Sequence, residues 1–304
     1  MNAAVTANLR EKFSSQVQEN ISLAPYTTAQ IGGPADILVT VRTSDELVHA
    51  AQACWEFDLH LTLIGIGSNI LISDRGVRGV VILNKAKALE FQMDAEPSVW
   101  AESGVVFANL AHRSAAQGLS GLEWAATIPG TVGGAVYGNA GAFGSDTASN
   151  LLQAEILTET GRFWWPVEKM EYSYRSSCLK KHLQKAIILS AKFGLKNGDI
   201  ELIKTTIEQL TMRRKASQPP GASMGSMFKN PPGDFAGRLI EASGLKGIRI
   251  GNVEISTIHG NFFVNHGNSR AVDIKELILL AQHTVKEKFN VDLELEVEMI
   301  GDWE

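Results

Sequence analysis

The sequence predicts a mixed helix-and-strand protein of two or three domains, and three observations support that reading. Apolar residues recur at the helical period in several segments, short apolar runs lie between glycine turns, and a polar, proline-containing break, "KASQPPGAS", falls near residue 215. A chain of 304 residues is long enough to bury a separate core on either side of that break.

"TSDELVHAAQACWEFD" opens with Thr43 and Glu46 at capping-box spacing, and Leu47, Ala50, Ala51 and Cys54 share one helical face, so an amphipathic helix is expected. "LTLIGIGSNILISDRGVRGVVIL" reads as strand, glycine turn, strand, turn, strand. A second helix is expected from Phe107 to Gln117, with Gly118 as its stop. Beyond the glycine-dense "IPGTVGGAVYGNAGAFG", the runs "AEILTET" and "KAIILSAKFGL" read as strands enclosing "YSYRSSCLKKH". "DIELIKTTIEQLTMRR" repeats apolar residues at Ile200, Ile203, Ile207 and Leu210, a helix that the proline segment ends. The last third predicts a short helix in "DFAGRLIEASG", a strand in "GNFFVN" and a long helix capped by Asp273 and Glu276. Ile274, Leu277, Ile278, Ala281 and Val285 form the apolar face of that long helix. Strict alternation in "DLELEVEM" predicts a closing strand with Leu293, Leu295, Val297 and Met299 on one face and Glu294, Glu296 and Glu298 on the other.

Composition narrows the function classes. Hydrophobic residues at 44% and charged residues at 20% are those of a folded globular chain. The net charge is -5 and no basic run exceeds Arg213-Arg214-Lys215, which points away from a nucleic-acid partner. Cys54 and Cys178 match neither a disulfide framework nor a zinc spacing, and the scattered histidines supply no metal-ligand pair. Neither a leader-like apolar core nor a run of roughly 18 apolar residues occurs. The expectation is a cytoplasmic protein with no metal, no membrane attachment and no obligate protein partner.

Three glycine-rich segments carry the first chemical signal: "IGGPA" at 31–35, "GIGSN" at 65–69 and "PGTVGGAVYGNAG" at 129–141. Glycines at this density let backbone N–H groups approach an anion, although each loop alone reads equally as a tight turn. Together they point to a phosphate-bearing cofactor. G-x-G-x-x-G would require glycine where Ile70 stands, and no phosphate-loop motif with its lysine occurs, which argues against both standard nucleotide folds. Ser226, in "ASMGSMFKNP", is either a small turn residue or a reactive hydroxyl, and the G-x-S-x-G context of a hydrolase is missing. Arg175, in "YSYRSS", offers a planar donor fork for a carboxylate or phosphate, with a structural ion pair as the plainer reading. Any of the three glutamates near the C-terminus could act as an acid if its strand lined a cleft. His259 reads as a structural turn residue, and Trp164 and Trp165 as packing residues.

Seven motifs then converge. "YTTAQIGGPA", "GIGSNILISD", "GLEWAATIPGTVGGAVYGNAGAFG", "YRSS", "GSMFKNP", "GDFAGRLIEASGLKGIRIG" and "LELEVEMIG" occur in the order seen in the UDP-N-acetylenolpyruvoylglucosamine reductase family, which this chain resembles from about residue 20 to residue 301. The resemblance implies an α+β fold: a vanillyl-alcohol-oxidase-type FAD-binding region of two subdomains, 1–84 and 85–213, and a substrate-binding domain, 214–304. The short path after "YRSS" implies the subclass without a tyrosine-bearing loop insertion. FAD would be held by Gly65, Ile66, Gly67, Ser68, Asn69 and Ile70, and by Ile128, Pro129, Gly130, Thr131, Gly133, Gly134, Asn139 and Gly141.

The same resemblance implies that NADPH reduces FAD, leaves, and is replaced by a UDP-sugar enolpyruvyl ether. Hydride reaching the enol-ether methylene would put negative charge on the adjacent carbon and its carboxylate. Arg175 would then hold the carboxylate, Glu296 would assist, and Ser226 would deliver a proton as general acid, with Lys229 and Asn230 supporting its alkoxide. Tyr174, Lys229, Asn230 and Arg213 are the expected substrate contacts. Another FAD oxidoreductase of the same fold and a non-catalytic sugar-nucleotide binding module are the alternatives.

Overall fold

The computed structural model describes residues 9–11, 13, 16–182 and 185–303. Most of the N-terminal stretch read above for a leader lies outside them. The chain forms two compact units, and both are discontinuous in sequence. The first contains Met1–Gln18, Leu38–Gly65 and Val80–Arg214, and the second contains Glu19–Ile37, Ile66–Gly79 and Lys215–Glu304. The chain passes from one to the other within the strands Val17–Ser22, Pro34–Val41 and Val77–Asn84, at the Gly65–Ile66 peptide, and within the helix Ile200–Ser217.

In the first unit an antiparallel sheet takes the order Gly161–Pro166, Leu151–Thr158, Ala186–Gly194, Ser98–Glu102, Leu89–Gln92. Phe107 enters its core from the helix Phe107–Ala116, 5.6 Å from the Trp124 ring and 5.7 Å from the Phe193 ring. That helix stops where expected, with Gly118 at φ +69°, a conformation glycine adopts without a Cβ penalty. The predicted helix at 44 runs Ser44–Glu56. Thr43 accepts the Glu46 N–H at 3.1 Å, while the Glu46 carboxylate takes the N–H of Arg42 at 2.7 Å. Trp165 is buried as a packing residue, whereas Trp164 on the neighbouring register position is half exposed.

The second unit packs the helices Ala236–Ala242 and Ala271–Phe289 with a three-stranded antiparallel sheet of Arg249–Ile250, Val253–Ile255 and Phe263–Asn265. The face expected for the long helix is the buried one, with Ile274, Leu277, Ile278, Ala281 and Val285 all inside. Its cap differs from the expectation. Arg270 is the N-cap, Asp273 accepts the Arg270 N–H at 3.0 Å, and the first amides are met from elsewhere in the unit. The Asp74 carboxylate accepts the N–H groups of Ala271 at 2.7 Å and Val272 at 3.0 Å.

The C-terminal alternation also resolves differently. Only Glu298–Ile300 is regular strand, pairing in parallel with Ile70–Ile72. Residues 291–297 are irregular because they bond a different partner: Lys229 N–H donates to the Glu294 carbonyl and Glu296 N–H to the Met227 carbonyl, both within 2.9 Å. Period 2 in the sequence thus records an extended segment that changes partners midway, and not one continuous strand.

Two predictions follow from this packing. Asp74→Ala should leave two helix-terminal amides without an acceptor, costing about 1–2 kcal/mol, seen as a Tm lower by roughly 2–4 °C; an unchanged melting curve would show that the cap is dispensable. Burial pushes the Cys54 thiol from its ordinary 9.0 up to about 12. Its contribution to stability is therefore full below pH 9 and is lost as pH rises toward about 12, since the unfolded chain ionises first. Urea midpoints of Cys54→Ala should fall less between pH 8 and about pH 10.5 than those of the parent; equal falls would refute the assignment.

Candidate active site

The glycine-dense segment of the first unit folds as a short helix, Val132–Gly138, with Thr131 as N-cap accepting the Gly134 N–H at 3.4 Å. Its N-terminal strap is stitched to residues 103–107: Phe107 N–H donates to the Gly130 carbonyl, Val132 N–H to Val105 and Gly133 N–H to Ser103, all within 3.0 Å. Ile128 N–H is engaged by the Ala125 carbonyl. Gly65 packs against this strap so closely that a Cβ there would lie 2.6 Å from the Thr131 Oγ1. One side of the helix carries no side chain. A methyl at Gly138 would meet nothing within 4 Å, and one at Gly134 only the Thr131 Oγ1 at 3.7 Å.

The "YSYRSS" segment closes the other end of that helix. Tyr172 donates its hydroxyl to the Val136 carbonyl at 2.8 Å and Ser177 to the Tyr137 carbonyl at 2.6 Å, satisfying carbonyls that a helix end leaves open. Burial pushes the Tyr172 phenol far above its usual range, so it stays a donor. Between them, Ser173 and Ser176 exchange both backbone hydrogen bonds at 3.1 Å, which puts Tyr174 and Arg175 at the tip of a two-residue turn. Arg175 takes φ +54° there, a left-handed conformation that costs a non-glycine residue about 1 kcal/mol. Its Nη2 donates to the Gly141 carbonyl at 2.7 Å, and its guanidinium lies 5.2 Å from the exposed Tyr174 ring. Gly141 owes its identity to this contact as much as to any ligand, since a Cβ would stand 3.2 Å from the Arg175 Nη1 and 2.7 Å from the Ser145 carbonyl.

Asn139 is committed to structure. Its amide donates to Asp146 at 3.1 Å and the Ser173 carbonyl at 3.2 Å, and its carbonyl accepts the Ala148 N–H at 3.0 Å. Arg213 stands 5.5 Å from the Phe143 ring. Arg214 donates to Thr127 at 3.5 Å, and burial lowers its guanidinium pKa.

In the second unit the turn 66–69 leads into the strand Ile70–Ile72. Gly67 sits at φ +63°, where a Cβ would lie 2.3 Å from the Tyr26 carbonyl, so the turn requires glycine. Asn69 donates its side-chain amide to the Glu296 carbonyl at 3.0 Å and accepts the Glu298 N–H at its own carbonyl, also at 3.0 Å. Ser226 is half-buried on the segment that Met227 and Phe228, both fully buried, anchor in the core. It forms an isolated antiparallel bridge with Phe262. Within this unit the structure therefore joins three predicted pieces: "GSMFKNP", the Glu296 segment and Asn69. Lys229 pairs with Glu294 at 3.2 Å, and Asn230 accepts the Ala236 N–H at 3.1 Å, so both expected partners of Ser226 are occupied by the protein itself.

Sequence reasoning missed Tyr172, Ser177, Asp146 and Asn261, whose hydrogen bonds hold the segments bearing Arg175 and Ser226. The hydroxyls around Arg175 were a signal, and those of Tyr172 and Ser177 serve the helix end. Among the described residues no three His, Cys, Asp or Glu side chains assemble as metal ligands, and no helix is long and apolar enough to cross a membrane.

Residues 35–165 match the family described as FAD binding domain, which defines a flavin-binding class. Residues 216–300 match the family described as UDP-N-acetylenolpyruvoylglucosamine reductase, C-terminal domain. The chain is 41% identical over 297 residues to the UDP-N-acetylenolpyruvoylglucosamine reductase of Chloroflexus aggregans, spanning 96% of this chain and 100% of that one. It is 42% identical over 299 residues to that of Bacillus subtilis strain 168, spanning 98% of both. A crystal structure of UDP-N-acetylenolpyruvylglucosamine reductase from Thermus caldophilus superposes with a TM-score of 0.78 at 36% identity, over 92% of this chain and 97% of that one. The chain belongs to the UDP-N-acetylenolpyruvoylglucosamine reductase family.

The residues present fit the flavin dinucleotide that such a family uses. A helix side bare at Gly134 and Gly138 accepts a flat group against backbone, and Gly130 and Thr131 lie where the strap reaches that helix. Gly65→Ala should displace Thr131 and weaken FAD retention at least about tenfold, equivalent to ~1.4 kcal/mol. Flavin absorbance of the purified protein and fluorescence titration of the apoprotein measure this; full flavin content in the variant would overturn it.

Proposed function

We propose that this chain reduces the enolpyruvyl ether of UDP-N-acetylglucosamine to UDP-N-acetylmuramate, a precursor of peptidoglycan, with FAD and NADPH as cofactors. The observation that carries the proposal is the joining, in one unit, of the Ser226 segment, Glu296 and Asn69, in a chain 41% identical to a named reductase over 96% of its length. Residues 1–84 and 85–213 are proposed to serve the flavin and residues 214–304 the UDP-sugar. Two unpaired, buried cysteine thiols support a reducing, cytoplasmic setting.

FAD, when bound, would supply the hydride chemistry that links NADPH to the methylene carbon of the enol ether. The residues of this chain manage the charge that this leaves behind. Arg175 is proposed to hold the substrate carboxylate with its guanidinium fork, so that charge developing on the adjacent carbon is shared with a held anion. Its turn is rigid, with hydrogen bonds at both flanks, and such a donor costs little reorganisation at the moment of reaction. Ser226 is proposed to give its hydroxyl proton to that carbon, completing addition of one hydride and one proton across the double bond. Glu296 is proposed to support the carboxylate end of the substrate as a donor or by positioning.

Gly65, Ile66, Gly67, Ser68, Asn69 and Ile70, and Ile128, Pro129, Gly130 and Thr131, are proposed to hold the dinucleotide, with Gly133 and Gly134 keeping the helix close. Of the second segment's amides, those of Ile128, Val132 and Gly133 are engaged by protein carbonyls, which favours Gly130 and Thr131 as the proposed phosphate donors there. Tyr174, Arg213, Lys229 and Asn230 are proposed contacts for the UDP-sugar. Lys229 is suited to this because Glu294, its present partner, is 75% exposed, and such a pair is worth under about 1 kcal/mol.

Separating the half-reactions tests the assignment. In Ser226→Ala, anaerobic reduction of the flavin by NADPH should stay within about twofold, while reoxidation by the enolpyruvyl sugar falls by about 10²–10⁴. Equal losses in both would show that Ser226 is not the proton donor. Failure of the parent enzyme to reoxidise with this sugar would favour another oxidoreductase of the same fold.

A further inference from the structure

The mechanism assigns Ser226 a task but leaves open what holds it in place. A hydroxyl that must reach one carbon on one face tolerates little displacement: an error near 1 Å costs on the order of 10²-fold in rate. The serine's own turn has no packed side chain beside it at Gly225. Gly225, immediately before it, adopts φ +79° with nothing within 4 Å of a notional Cβ. The restraint comes from the other side of the segment.

Asn261 is 3% exposed and spends its whole carboxamide on one residue. Its Oδ1 accepts the Phe228 N–H at 2.9 Å and its Nδ2 donates to the Phe228 carbonyl at 2.7 Å. Its backbone carbonyl accepts the Met227 N–H at 2.8 Å. The two residues that follow Ser226 are thus held at three points by a single residue, and Phe262, next in the chain, bridges Ser226 itself. A side chain here imitates the paired donor and acceptor of a neighbouring strand.

Asn261 is in turn fixed. Its N–H donates to the His259 Nδ1 at 3.2 Å, and the His259 ring stacks edge-on to Phe262 at 5.0 Å. Burial and the nearby Lys246 lower the His259 pKa, which keeps Nδ1 an acceptor. The turn 259–261 is pressed onto the helix Ala236–Ala242, where a Cβ on Gly237 would stand 2.9 Å from the His259 ring and one on Gly260 2.8 Å from the Gly237 carbonyl. Two glycines therefore let the turn seat directly on helix backbone.

We infer that Asn261, held by His259, is the positioning residue for Ser226, fixing the backbone from which the hydroxyl delivers its proton. This rests on the reading of Ser226 as proton donor. A residue that only stabilised the fold would lower stability, flavin content and both half-reactions together. A positioning residue slows only the half-reaction that consumes the proton.

The test uses the FAD-loaded enzyme with Ser226→Ala, Asn261→Ala, Asn261→Asp and His259→Phe. Asn261→Ala should keep its flavin and be reduced by NADPH within about twofold of the parent, while reoxidation by the enolpyruvyl sugar slows about 30- to 100-fold. The solvent deuterium isotope effect on reoxidation should rise, because proton delivery becomes the slow event. Asn261→Asp keeps the acceptor for the Phe228 N–H and loses the donor to its carbonyl, so it should fall between, near tenfold. His259→Phe removes the acceptor of the Asn261 N–H and should slow reoxidation by about threefold or more. If Asn261→Ala does not accumulate as folded protein, Asn261→Asp carries the test. Reoxidation within threefold of the parent in the folded Asn261 variants, or equal loss in both half-reactions, overturns the inference. Normal reoxidation in Ser226→Ala would instead overturn the reading of the serine, whatever the Asn261 variants do.

Discussion

Along one edge a backbone segment can bond only one neighbour at a time, so a segment that serves two neighbours on that edge must change partners along its length. Residues 294–300 do this. Glu294 and Glu296 bond residues 229 and 227, and two residues later Glu298 bonds the Asn69 carbonyl and opens the parallel pair with Ile70–Ile72. Glu296 occupies the changeover. Its N–H belongs to the serine-bearing segment, and its carbonyl is held by the Asn69 side chain. A carboxylate at such a point has both neighbouring segments fixed by its own backbone, which makes the spacing of the three pieces insensitive to side-chain motion. The loss of regular strand over residues 291–297 is the structural cost of that arrangement.

The first unit meets a related constraint at a helix end. Val132–Gly138 is too short to be stable alone, because nucleation consumes most of what its few hydrogen bonds return. It persists because both ends are finished by other parts of the unit, Thr131 and residues 103–107 at one end and the Tyr172 and Ser177 hydroxyls at the other. The turn that presents Arg175 is therefore the same piece of chain that completes the glycine helix. A change that loosens the helix also releases the arginine, and the left-handed backbone at Arg175 is held only while both flanks stay bonded.

Periodicity made much of this architecture legible. Thr43, Gly118 and the face running from Ile274 to Val285 behave as their local chemistry dictates, since caps and amphipathic stripes depend on residues within a turn or two. What could not be read locally is pairing across long separations. Asp74 caps a helix nearly two hundred residues away, and the alternation from Leu293 to Met299 carries no mark of where partners change. The residues named for the site came from motif order, and the structure adds which of their polar atoms are already committed. Gly141 and Asn139 look like ligands to a cofactor in a glycine-rich string, and the structure shows a further duty for each: one makes room for Arg175, and the other joins the Ala148 N–H to the Ser173 carbonyl.

Commitment of polar atoms separates the two kinds of residue that sequence places side by side. Asn139 and Asn261 are both 3% exposed, and each donates and accepts at backbone groups beside a functional turn. Breaking such a bond strands a buried partner at about 1–3 kcal/mol, so these carboxamides do not exchange their partners for a ligand. Lys229 and Glu294 form the opposite case: Glu294 is 75% exposed, and water or a phosphate can take its place beside Lys229 at little cost. An enzyme that must admit two different molecules in turn needs both kinds. Fixed amides hold the backbone beside Arg175 and Ser226, and exchangeable surface charges suit the proposed succession of ligands. By that criterion the asparagines belong to the frame, and Lys229 has the exchangeable partner that its proposed contact with the UDP-sugar requires.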